Sequence, residues 1–254
     1  MGLSSNVIWH QTTYGGLKAI LQDMAFKPSY SLETIKFRKN KINIAFPMIS
    51  FCDIPLSDMY EYLKDNKEEK FTGRYGGYTL GLKRQWGVKK GLSPVWYRDN
   101  NAKSLLPQID IFKVFENTKD PFSLNTEEQT IWYVLAHTKN VQGKLIKHNF
   151  ESYRFADERE WRYVPTFKEL SDAFIRPLIC ANDYKTLKKK VESTLINNFS
   201  LSFNEEDISY VLVSSSPIIS KVKDLFKRKN KNIVFMSYDH IIHDIIGISH
   251  NVGL

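Results

Sequence analysis

The chain has 254 residues, of which 42% are hydrophobic and 13% aromatic, and it carries a formal net charge of +8 with a pI near 9.2. This composition supports a packed core and excludes a disordered chain, and the sequence shows neither a membrane-length apolar run nor a signal-peptide pattern. Two cysteines without metal or redox spacing predict a reduced cytoplasmic protein. The basic charge permits contact with nucleic acid or an acidic protein, although lysine on solvated helix faces is the commoner reason for such charge.

Apolar runs and helical periodicity predict the elements of the first half of the chain. In chain order they are a strand at 7–10, a helix that Thr12 or Thr13 caps, an irregular basic segment at 28–45, a strand at 45–52, a helix from Ser57 or Asp58 through Lys64, a strand at 78–82, a helical turn at 83–90 and a strand at 94–97. Gly76 and Gly77 lack the Lys-Ser/Thr pair of a phosphate loop, and they indicate a turn or a close backbone approach.

The second half of the chain is more regular. It predicts helices at 101–116 and 126–139, strands at 145–148 and 174–180, a helix from Asn182 to about 197, a strand at 208–213, a helix that starts at Ser216-Pro217 and a parallel strand at 233–236. Short strands among helices of unequal length favour an α+β fold, a single compact domain with a mixed, partly antiparallel sheet flanked by helices. The domain is expected to cover 1–254, with a subdivision into a nucleotide-cleft core at 1–170 and a strand-helix-strand extension at 171–254.

The segment FADEREWRYVP, residues 155–165, has the most unusual pattern of the chain. As a strand it would place Glu158, Glu160 and Arg162 on one face. Like charges on alternate residues repel unless something neutralises them, so we expect Arg162 to pair with one glutamate and a substrate or a second buried partner to face the other. The opposite face is expected to pack in the core and carries Trp161 and Tyr163. The alternative is a solvated edge strand protected by its charges.

Metal and hydrolase chemistry find little support in the sequence. His240 and His243 stand one helical turn apart, but neither an HExxH motif nor a cysteine pair accompanies them, so no metal is expected. A serine hydrolase would need a Gly-x-Ser-x-Gly turn, which is absent from the sequence. A nucleophilic Cys52 would need a nearby histidine that the sequence does not place.

A chain-wide arrangement resembles the ADP-ribosyltransferase folds. It consists of His10-Gln11-Thr12, a helix with Ile20-Leu21, the run PMISF at 47–51 and Glu158-x-Glu160. The resemblance implies that His10 and Thr12 hold the nicotinamide and ribose of the substrate NAD and that an aromatic residue stacks on the nicotinamide. It further implies that Glu160 stabilises the oxocarbenium-like transition state, a role that a carboxylate can fill electrostatically.

The resemblance implies a set of site residues that converge on one cleft. The catalytic residues are expected to be Glu160, His10 and Tyr78. NAD-binding residues are expected to be His10, Thr12, Phe51, Asp53, Glu158 and Arg162, of which the last three are expected to act from behind the cleft. Two alternatives stay open: a non-catalytic nucleotide site, and a purely structural set in which His10 caps a helix, Asp53 ends a strand and Glu158 pairs with Arg162.

Three longer blocks resemble the AbiGi family of bacterial abortive-infection proteins, in order and spacing across residues 7–240. They are MISFCDIPLS at 48–57, YGGYTLGLKRQWG at 75–87 with Pro94-Val95, and DEREWRYVP at 157–165. Thr79 departs from the family pattern, which often has glycine there. The resemblance implies an anti-phage defence protein, here expected to carry an NAD cleft. The alternative is a non-enzymatic antitoxin that binds a partner toxin, nucleic acid or both, and no membrane contact is expected.

Overall fold

The structure, a computed structural model, describes residues 6–37, 40–63, 76–99, 122–145, 150–226 and 232–238. The chain divides into two compact units. Unit 1 comprises Met1–Phe26, Phe51–Gly91 and Ser202–Leu254, and unit 2 comprises Lys27–Ser50 and Leu92–Leu201. Both units are built from separated stretches of sequence. The expected single domain and its subdivision at residue 170 stay predictions.

Strands outnumber helices among the described elements, and several strands follow one another without an intervening helix. The first half contains β1 (Val7–Thr12), α1 (Tyr14–Asp23), β2 (Ala25–Phe26), β3 (Ser29–Phe37), β4 (Asn40–Cys52), α2 (Leu56–Leu63), β5 (Tyr78–Lys83), α3 (Arg84–Lys89), β6 (Ser93–Pro94) and β7 (Trp96–Arg98). The second half contains α4 (Thr126–Ala136), β8 (Thr138–Asn140), β9 (Gln142–Leu145), β10 (Phe150–Arg154), a 3-10 turn (Phe155–Glu158), β11 (Glu160–Tyr163), α5 (Phe167–Asp172), β12 (Ile179–Cys180), α6 (Tyr184–Phe199), β13 (Leu201–Ser202), a 3-10 turn (Glu205–Asp207), β14 (Ile208–Val213), α7 (Ile218–Lys223) and β15 (Val234–Ser237).

A mixed sheet forms the centre of unit 1. Its strand order is β15-β14-β5-β1, and the last residues of β4 pair with β1. Strands β14 and β15 are parallel, as the strand-helix-strand pattern predicted, and the other pairs are antiparallel. One face of this sheet packs into a core around Trp9, Met59, Leu212 and Tyr238. The expected mixed, partly antiparallel sheet is therefore confirmed.

Local sequence determines where α1 starts and ends. Thr13 accepts a hydrogen bond from the Gly16 backbone N–H at 3.2 Å, which satisfies one donor of the open first turn. Met24 adopts a left-handed conformation at φ 47° and its N–H bonds to the Ile20 carbonyl. Leu17 and Leu21 are the buried residues of this helix. The predicted helix, with Thr13 as the cap, is confirmed.

Unit 2 is organised around a long antiparallel hairpin. β3 and β4 pair from Ser29 opposite Met48 to Phe37 opposite Asn40, and β12 pairs with β4 beside Ile44 and Ala45. Shorter pairs complete the unit: β11 with β6 and β10 with β9 are antiparallel, and β7 with β8 is parallel.

Helices cover the apolar side of unit 2. The α4 helix begins with a capping box between Asn125 and Glu128, and α5 begins with the same device between Thr166 and Glu169. Trp132 of α4 is fully buried, and its indole N–H donates to the Pro177 carbonyl at 2.9 Å. These helices bury a core of aliphatic and aromatic side chains against the hairpin.

The prediction of an irregular segment at 28–45 is wrong, because this stretch forms β3 and the first half of β4. Ile35 is buried, whereas Leu32 and Thr34 on the other face of the same strand are exposed. The lysines and the proline of the region hide this alternation. Pro47, which has no N–H, is accommodated within β4 opposite Tyr30 rather than at the entry of the strand.

Three further predictions need correction. The helix predicted at 126–139 ends at Ala136, where Thr138 bonds to the Val134 carbonyl at 2.6 Å and enters β8. The strand predicted at 174–180 is reduced to Ile179–Cys180, because Phe174 takes a left-handed conformation at φ 56° after α5. Helix α6 starts after Asp183 rather than at Asn182.

Some predictions lie outside the described residues. These are the helix at 101–116, the part of the strand at 145–148 beyond residue 145, and the residues His240 and His243. No helix in the described stretches has both the length and the apolarity that crossing a membrane requires.

Candidate functional site

A buried ion pair lies at the start of β11 in unit 2. The Arg162 guanidinium donates through Nε to Glu160 Oε1 at 2.7 Å and through Nη2 to Glu160 Oε2 at 3.1 Å. Arg162 has no exposed surface, and Glu160 is only 6% exposed. A two-point contact of this kind fixes the plane of the carboxylate as well as its charge. Glu160 is therefore held rigidly and in its ionised form.

Lys139 of β8 joins Glu160 to Glu158. Its ammonium lies 2.8 Å from Glu160 Oε2 and 3.0 Å from Glu158 Oε2. The same ammonium stands 4.9 Å from the centre of the Phe155 ring. One cation thus lies between two carboxylates and offsets their mutual repulsion.

Glu33 joins the network through a 2.6 Å contact with Arg162 Nη2. Counted over the described residues alone, three carboxylates (Glu33, Glu158, Glu160) against two cations (Lys139, Arg162) give −3 + 2 = −1. The excess charge is negative and lies in a largely dehydrated environment, where electrostatic interactions act more strongly than in water.

The ionisation of this network follows from the competition between burial and charge. Burial alone would raise the pKa of Glu160, but the charges of Arg162 and Lys139 outweigh it and hold that pKa well below its ordinary value. Burial alone would lower the pKa of Lys139, but the carboxylates of Glu160, Glu158 and Glu33 hold it well above its ordinary value. Both groups are therefore charged at neutral pH.

Two neutral side chains complete the fixation of Glu160. The Ser50 hydroxyl at the end of the unit 2 part of β4 donates to Glu160 Oε1 at 2.7 Å. The Tyr97 hydroxyl accepts the backbone N–H of Glu160 at 2.7 Å. Burial raises the pKa of Tyr97, which keeps its hydroxyl protonated. Ser50 of β4 thus binds the side chain of Glu160, and Tyr97 of β7 binds its backbone.

The structure corrects the strand geometry predicted for 155–165. Only Glu160–Tyr163 forms a strand, because Phe155–Glu158 is a 3-10 turn and Arg159 follows it in a left-handed conformation at φ 44°. Glu158 is buried all the same, and its Oε1 accepts the Tyr153 hydroxyl at 3.2 Å. The turn, rather than strand alternation, brings Glu158 beside Glu160 through Lys139.

The charged face of this strand is the more deeply buried one. Glu160 and Arg162 are buried, whereas Trp161 and Tyr163 are partly buried. The expectation that the aromatic face packs in the core is confirmed for Tyr163, which packs against the core of unit 2. The charged face can be buried because Lys139 and Ser50 supply partners for it, and paired charges tolerate burial.

In unit 1, the predicted residues of the NAD site share one face of the sheet. β1 and β5 pair with His10 opposite Leu80 and Thr12 opposite Tyr78. Residues on alternate positions of paired strands point to the same side, so His10, Thr12 and Tyr78 lie on one face. Trp9 pairs with Cys52 on the opposite face, which places Phe51 beside His10. Ring contact confirms this, because the His10 and Phe51 rings lie 5.4 Å apart.

An aromatic cluster supports His10. The His10 ring meets Phe26 edge to face at 4.9 Å, and Phe51 lies 5.0 Å from Phe26. The ring centre of Trp86 on α3 lies 5.7 Å from that of Phe51 and 5.8 Å from that of Phe26. His10 itself is half-buried. It is Thr13, and not His10, that caps α1, so the structural alternative for His10 is wrong.

Two glycines close tightly around Thr12. A Cβ on Gly76 would lie 2.1 Å from the Thr12 carbonyl oxygen, and a Cβ on Gly16 would lie 2.0 Å from the Thr12 hydroxyl. Gly76 also has φ +131°, a conformation that glycine alone adopts readily. The predicted close backbone approach at Gly76 is confirmed, and it fixes the position of Thr12.

Tyr78 and Asp53 have partners that the sequence did not indicate. The Tyr78 ring packs at 5.5 Å on Tyr14, and the Lys221 ammonium stands 4.6 Å from the centre of the Tyr14 ring. Burial raises the pKa of Tyr78, as does the neighbouring Tyr14. Asp53 follows β4 and forms an ion pair with Arg84.

The predicted site residues thus form two groups. His10, Thr12, Phe51, Tyr78 and Asp53 belong to unit 1, and Glu158, Glu160 and Arg162 belong to unit 2. The expectation that they converge on one cleft stays a prediction. Sequence reasoning missed five side chains that hold these groups, because no local pattern links each of them to its partner: Glu33, Ser50, Arg84, Tyr97 and Lys139. Within the described residues, no three His, Cys, Asp or Glu side chains are close enough together to hold a metal ion.

Comparison with known proteins gives two sequence matches. The family described as "Putative abortive phage resistance protein AbiGi, antitoxin" matches residues 23–214. The "Abortive phage resistance protein AbiGi" of Lactococcus lactis subsp. cremoris is 30% identical over 234 residues, covering 82% of this chain and 90% of that protein.

Two solved structures of DarT from Thermus sp. 2.9 are also similar, one in complex with carba-NAD+ and one with NAD+. The first is 12% identical with a TM-score of 0.35 and covers 92% of this chain and 96% of that chain. The second is 11% identical with a TM-score of 0.38 and covers 94% and 98%. The sequence matches therefore cover most of the chain, whereas the structural likeness is distant.

Proposed function

Because this chain belongs to the AbiGi family of abortive phage resistance proteins, we propose that it acts in anti-phage defence as an ADP-ribosyltransferase-like enzyme with NAD as its substrate. The observation that carries this proposal is the fixed, ionised Glu160, held in a buried network by Arg162 and Lys139. A rigid carboxylate in a dry environment suits a reaction that builds positive charge on its substrate.

The proposed reaction breaks the bond between C1′ of the ribose and the nicotinamide nitrogen. Nicotinamide leaves as a neutral molecule with the bonding electron pair, and the ribose carries the positive charge as an oxocarbenium-like centre. A nucleophilic oxygen or nitrogen of the acceptor then bonds to C1′ and releases its proton to solvent. Glu160 stabilises the positive charge electrostatically, as carboxylates do in glycoside cleavage.

The contacts of Glu160 support electrostatic stabilisation by a fixed carboxylate rather than proton transfer. Its two oxygens already accept bonds from Arg162, Lys139 and Ser50. A carboxylate with such a low pKa is a poor proton acceptor at neutral pH, whereas its negative charge is permanently available. Glu158, bridged to Glu160 by Lys139, adds a second negative charge and is proposed to orient the acceptor.

The unit 1 residues support a proposal for NAD binding. His10 and Thr12 stand two residues apart on one face of β1, and Phe51 and Tyr78 present aromatic rings on that face. We assign the nicotinamide and ribose to His10 and Thr12, with an aromatic ring for stacking. Asp53 is proposed to act indirectly, by fixing Arg84, and Arg162 by fixing Glu160.

NAD consumption by the purified full chain tests the catalytic proposal. Glu160→Gln is expected to abolish turnover, because the isosteric amide carries no charge. Glu192→Gln on α6 removes a carboxylate elsewhere in unit 2 and is expected to retain wild-type turnover. Turnover by Glu160→Gln equal to wild type would exclude Glu160 as the catalytic carboxylate.

Loss of the buried ion pair can unfold the Glu160→Gln variant, so a second variant is needed. His10→Asn lies in unit 1 and leaves the buried network intact. It is expected to weaken NAD binding, measured by calorimetry, while thermal unfolding confirms that the variant is folded. Wild-type affinity of a folded His10→Asn variant would remove His10 from the NAD site.

The family description contains the word antitoxin, which favours a second candidate function. In this alternative the chain is non-enzymatic and binds a partner toxin, nucleic acid or both. Lys185, Lys189 and Lys190 are exposed on α6 and provide a basic surface for such contacts. Co-purification with the product of the neighbouring gene tests the toxin version. Binding to promoter DNA that weakens steeply with salt tests the nucleic-acid version.

A further inference from the structure

We propose that Lys139 is a positioning residue of the proposed NAD reaction, which keeps Glu158 and Glu160 ionised and fixes their distance from each other. This inference rests on the proposed function and adds a residue to it. The Lys139 ammonium lies 2.8 Å from Glu160 Oε2 and 3.0 Å from Glu158 Oε2. The Lys139 side chain is 13% exposed, and those of Glu160 and Glu158 are 7% and 5% exposed. Three charged groups therefore meet in a largely dehydrated environment.

The Lys139 ammonium is already engaged by neighbouring groups. An ammonium has three N–H donors, and two of them bind the carboxylates of Glu158 and Glu160. The same ammonium stands over the Phe155 ring, 4.9 Å from the ring centre, and an aromatic ring face attracts a cation. We therefore assign Lys139 an action through the two glutamates and not the binding of an NAD phosphate.

The pairing of β7 with β8 brings Lys139 to Glu160. Tyr97 and Lys139 lie opposite each other in this parallel pair. The Tyr97 hydroxyl accepts the backbone N–H of Glu160 at 2.7 Å, and the Lys139 ammonium binds the carboxylate of Glu160. The next residue of β8, Asn140, donates to the Thr34 carbonyl at 2.7 Å. One pair of strands thus holds both the backbone and the side chain of Glu160.

Loss of the Lys139 ammonium would leave two negative charges close together. The oxygens that it bridges both lie within 3.0 Å of the same nitrogen, so each charge is near enough to raise the pKa of the other carboxyl. Arg162 would continue to bind Glu160 through two nitrogens. Glu158 would keep the hydrogen bond from the Tyr153 hydroxyl, which carries no charge. The two carboxyls would then take up a shared proton at a pH at which both are ionised in the wild type.

Other ionisable groups face the glutamate pair and are the same in the wild type and in a Lys139 variant. Burial lowers the pKa of His137, so this imidazole is neutral at pH 7. A difference between wild type and variant therefore reports on Lys139 itself. The groups come from five elements: Glu33 on β3, Tyr97 on β7, His137 at the end of α4, Tyr153 on β10 and Arg162 on β11.

The pH dependence of nicotinamide release at saturating NAD tests the proposal. In the wild type, ionisation of the two glutamates is expected to produce no acidic limb of kcat above about pH 5. Lys139→Met is expected to lower kcat about 100-fold at neutral pH and to leave the KM for NAD within about twofold. It should also move the acidic limb of kcat upward by about one to two pH units. A purely structural role of Lys139 would lower kcat by the same factor at every pH.

Three further variants provide the controls. Lys139→Arg keeps the positive charge and is expected to keep the acidic limb of the wild type. Lys139→Met/Glu158→Gln removes the like charge together with the lysine, so its acidic limb should also return to the wild-type position. This double variant leaves no second carboxylate beside Glu160, and it decides the question if thermal unfolding shows that Lys139→Met is not folded. Lys185→Met makes the same change on the exposed side of α6 and is expected to have the wild-type kcat and pH profile.

The results that overturn the proposal differ from those that overturn the proposed function. A wild type that releases nicotinamide, with a Lys139→Met profile that is identical or lower by one constant factor, overturns this inference alone. It is equally overturned if Lys139→Arg shows the raised acidic limb, or if the folded double variant keeps it. A wild type that releases no nicotinamide from NAD overturns the proposed function, and this inference with it.

Discussion

Arg162 contacts three different groups through its three guanidinium nitrogens, and its two-point contact with Glu160 is the centre of the set. Nε and Nη2 bind the two oxygens of Glu160, Nη1 donates to the Ala136 carbonyl at 2.7 Å, and Nη2 also reaches Glu33. No part of this side chain is exposed. Arg162 thus joins Glu160, Glu33 and the backbone at the end of α4 in one buried set of contacts.

Arg162→Lys is expected to destabilise the protein by about 3 kcal/mol, because a lysine keeps the charge but cannot make the two-point contact with the Glu160 carboxylate. Urea unfolding, followed by tryptophan fluorescence, measures the change. The exposed pair between Lys168 and Asp172 provides the control. Lys168→Ala should leave the unfolding midpoint unchanged, since an exposed pair contributes little. If Arg162→Lys unfolds at the same urea concentration as the wild type, the two-point contact between Arg162 and Glu160 does not have the structural role assigned to it.

The stability of the protein is expected to fall in acid. The pKa of Glu160 in the folded state lies below its ordinary value of 4.5. Its contribution is therefore complete above pH 4.5 and is lost as the pH falls from there toward the folded-state pKa, with a slope of about 1.4 kcal/mol per pH unit for this one group. Urea unfolding at a series of pH values between 6 and about 3.5 measures the slope.

The matched comparison for this pH dependence is between Glu160→Gln and Glu192→Gln. The first variant removes the group with the depressed pKa and should flatten the slope in acid, provided that thermal unfolding shows it to be folded. The second removes a carboxylate on α6 and should keep the slope of the wild type. Equal slopes for the two variants would refute the assignment to Glu160.

Changing each of three glycines of unit 1 to alanine is expected to change the stability of the protein in three different ways. Gly76→Ala should be strongly destabilising, because its Cβ would lie 2.1 Å from the Thr12 carbonyl oxygen and its φ is +131°. Gly91→Ala has open space but φ +78°, so a cost of about 1 kcal/mol is expected from backbone strain alone. Gly15→Ala lies in the first turn of α1 with no atom within 4 Å, and it should stabilise by about 0.5 kcal/mol.

Thermal unfolding of the three alanine variants checks this order. The measurement needs no ligand and no assumption about activity. A Gly76→Ala variant as stable as the wild type would show that the backbone of Gly76 does not pack on Thr12.

Tyr97→Phe is expected to lower the free energy of unfolding by about 1–3 kcal/mol, because the buried backbone N–H of Glu160 would lose its hydrogen-bond acceptor. Tyr133→Phe on α4 is the control, since Tyr133 is exposed and its hydroxyl forms no hydrogen bond with the described residues. If the two variants unfold at the same urea concentration, the bond to Glu160 contributes nothing to stability.

Much of the fold could be predicted from local patterns. Thr13 before an amphipathic run, the β-branched run at 208–213 and the strand-helix-strand order after it all appear in the structure as predicted. These signals depend on residues close in sequence. The β3–β4 hairpin was missed because its stability comes from pairing across the two strands, and the charges of the individual strands hide their alternation.

The candidate site was predictable only in part, for a related reason. The pattern at Glu158 and Glu160 indicated that a buried partner was needed, and the structure supplies Lys139 as that partner. Nothing about Lys139 in the sequence distinguishes it from the other lysines. Alternation correctly placed Glu160 and Arg162 on one face of β11, but the deep burial of that face depends on the distant partner.

The contacts of Arg162 and Glu160 also bear on the order of folding. Glu33 and Arg162 are 129 residues apart, and Ser50 and Glu160 are 110 residues apart. Contacts of such high sequence separation require closure of long loops, which makes them slow to form. During synthesis, the buried ion-pair network around Glu160 and Arg162 stays incomplete until residue 162 has left the ribosome. A nascent or truncated chain that ends before β11 therefore lacks the proposed catalytic carboxylate altogether.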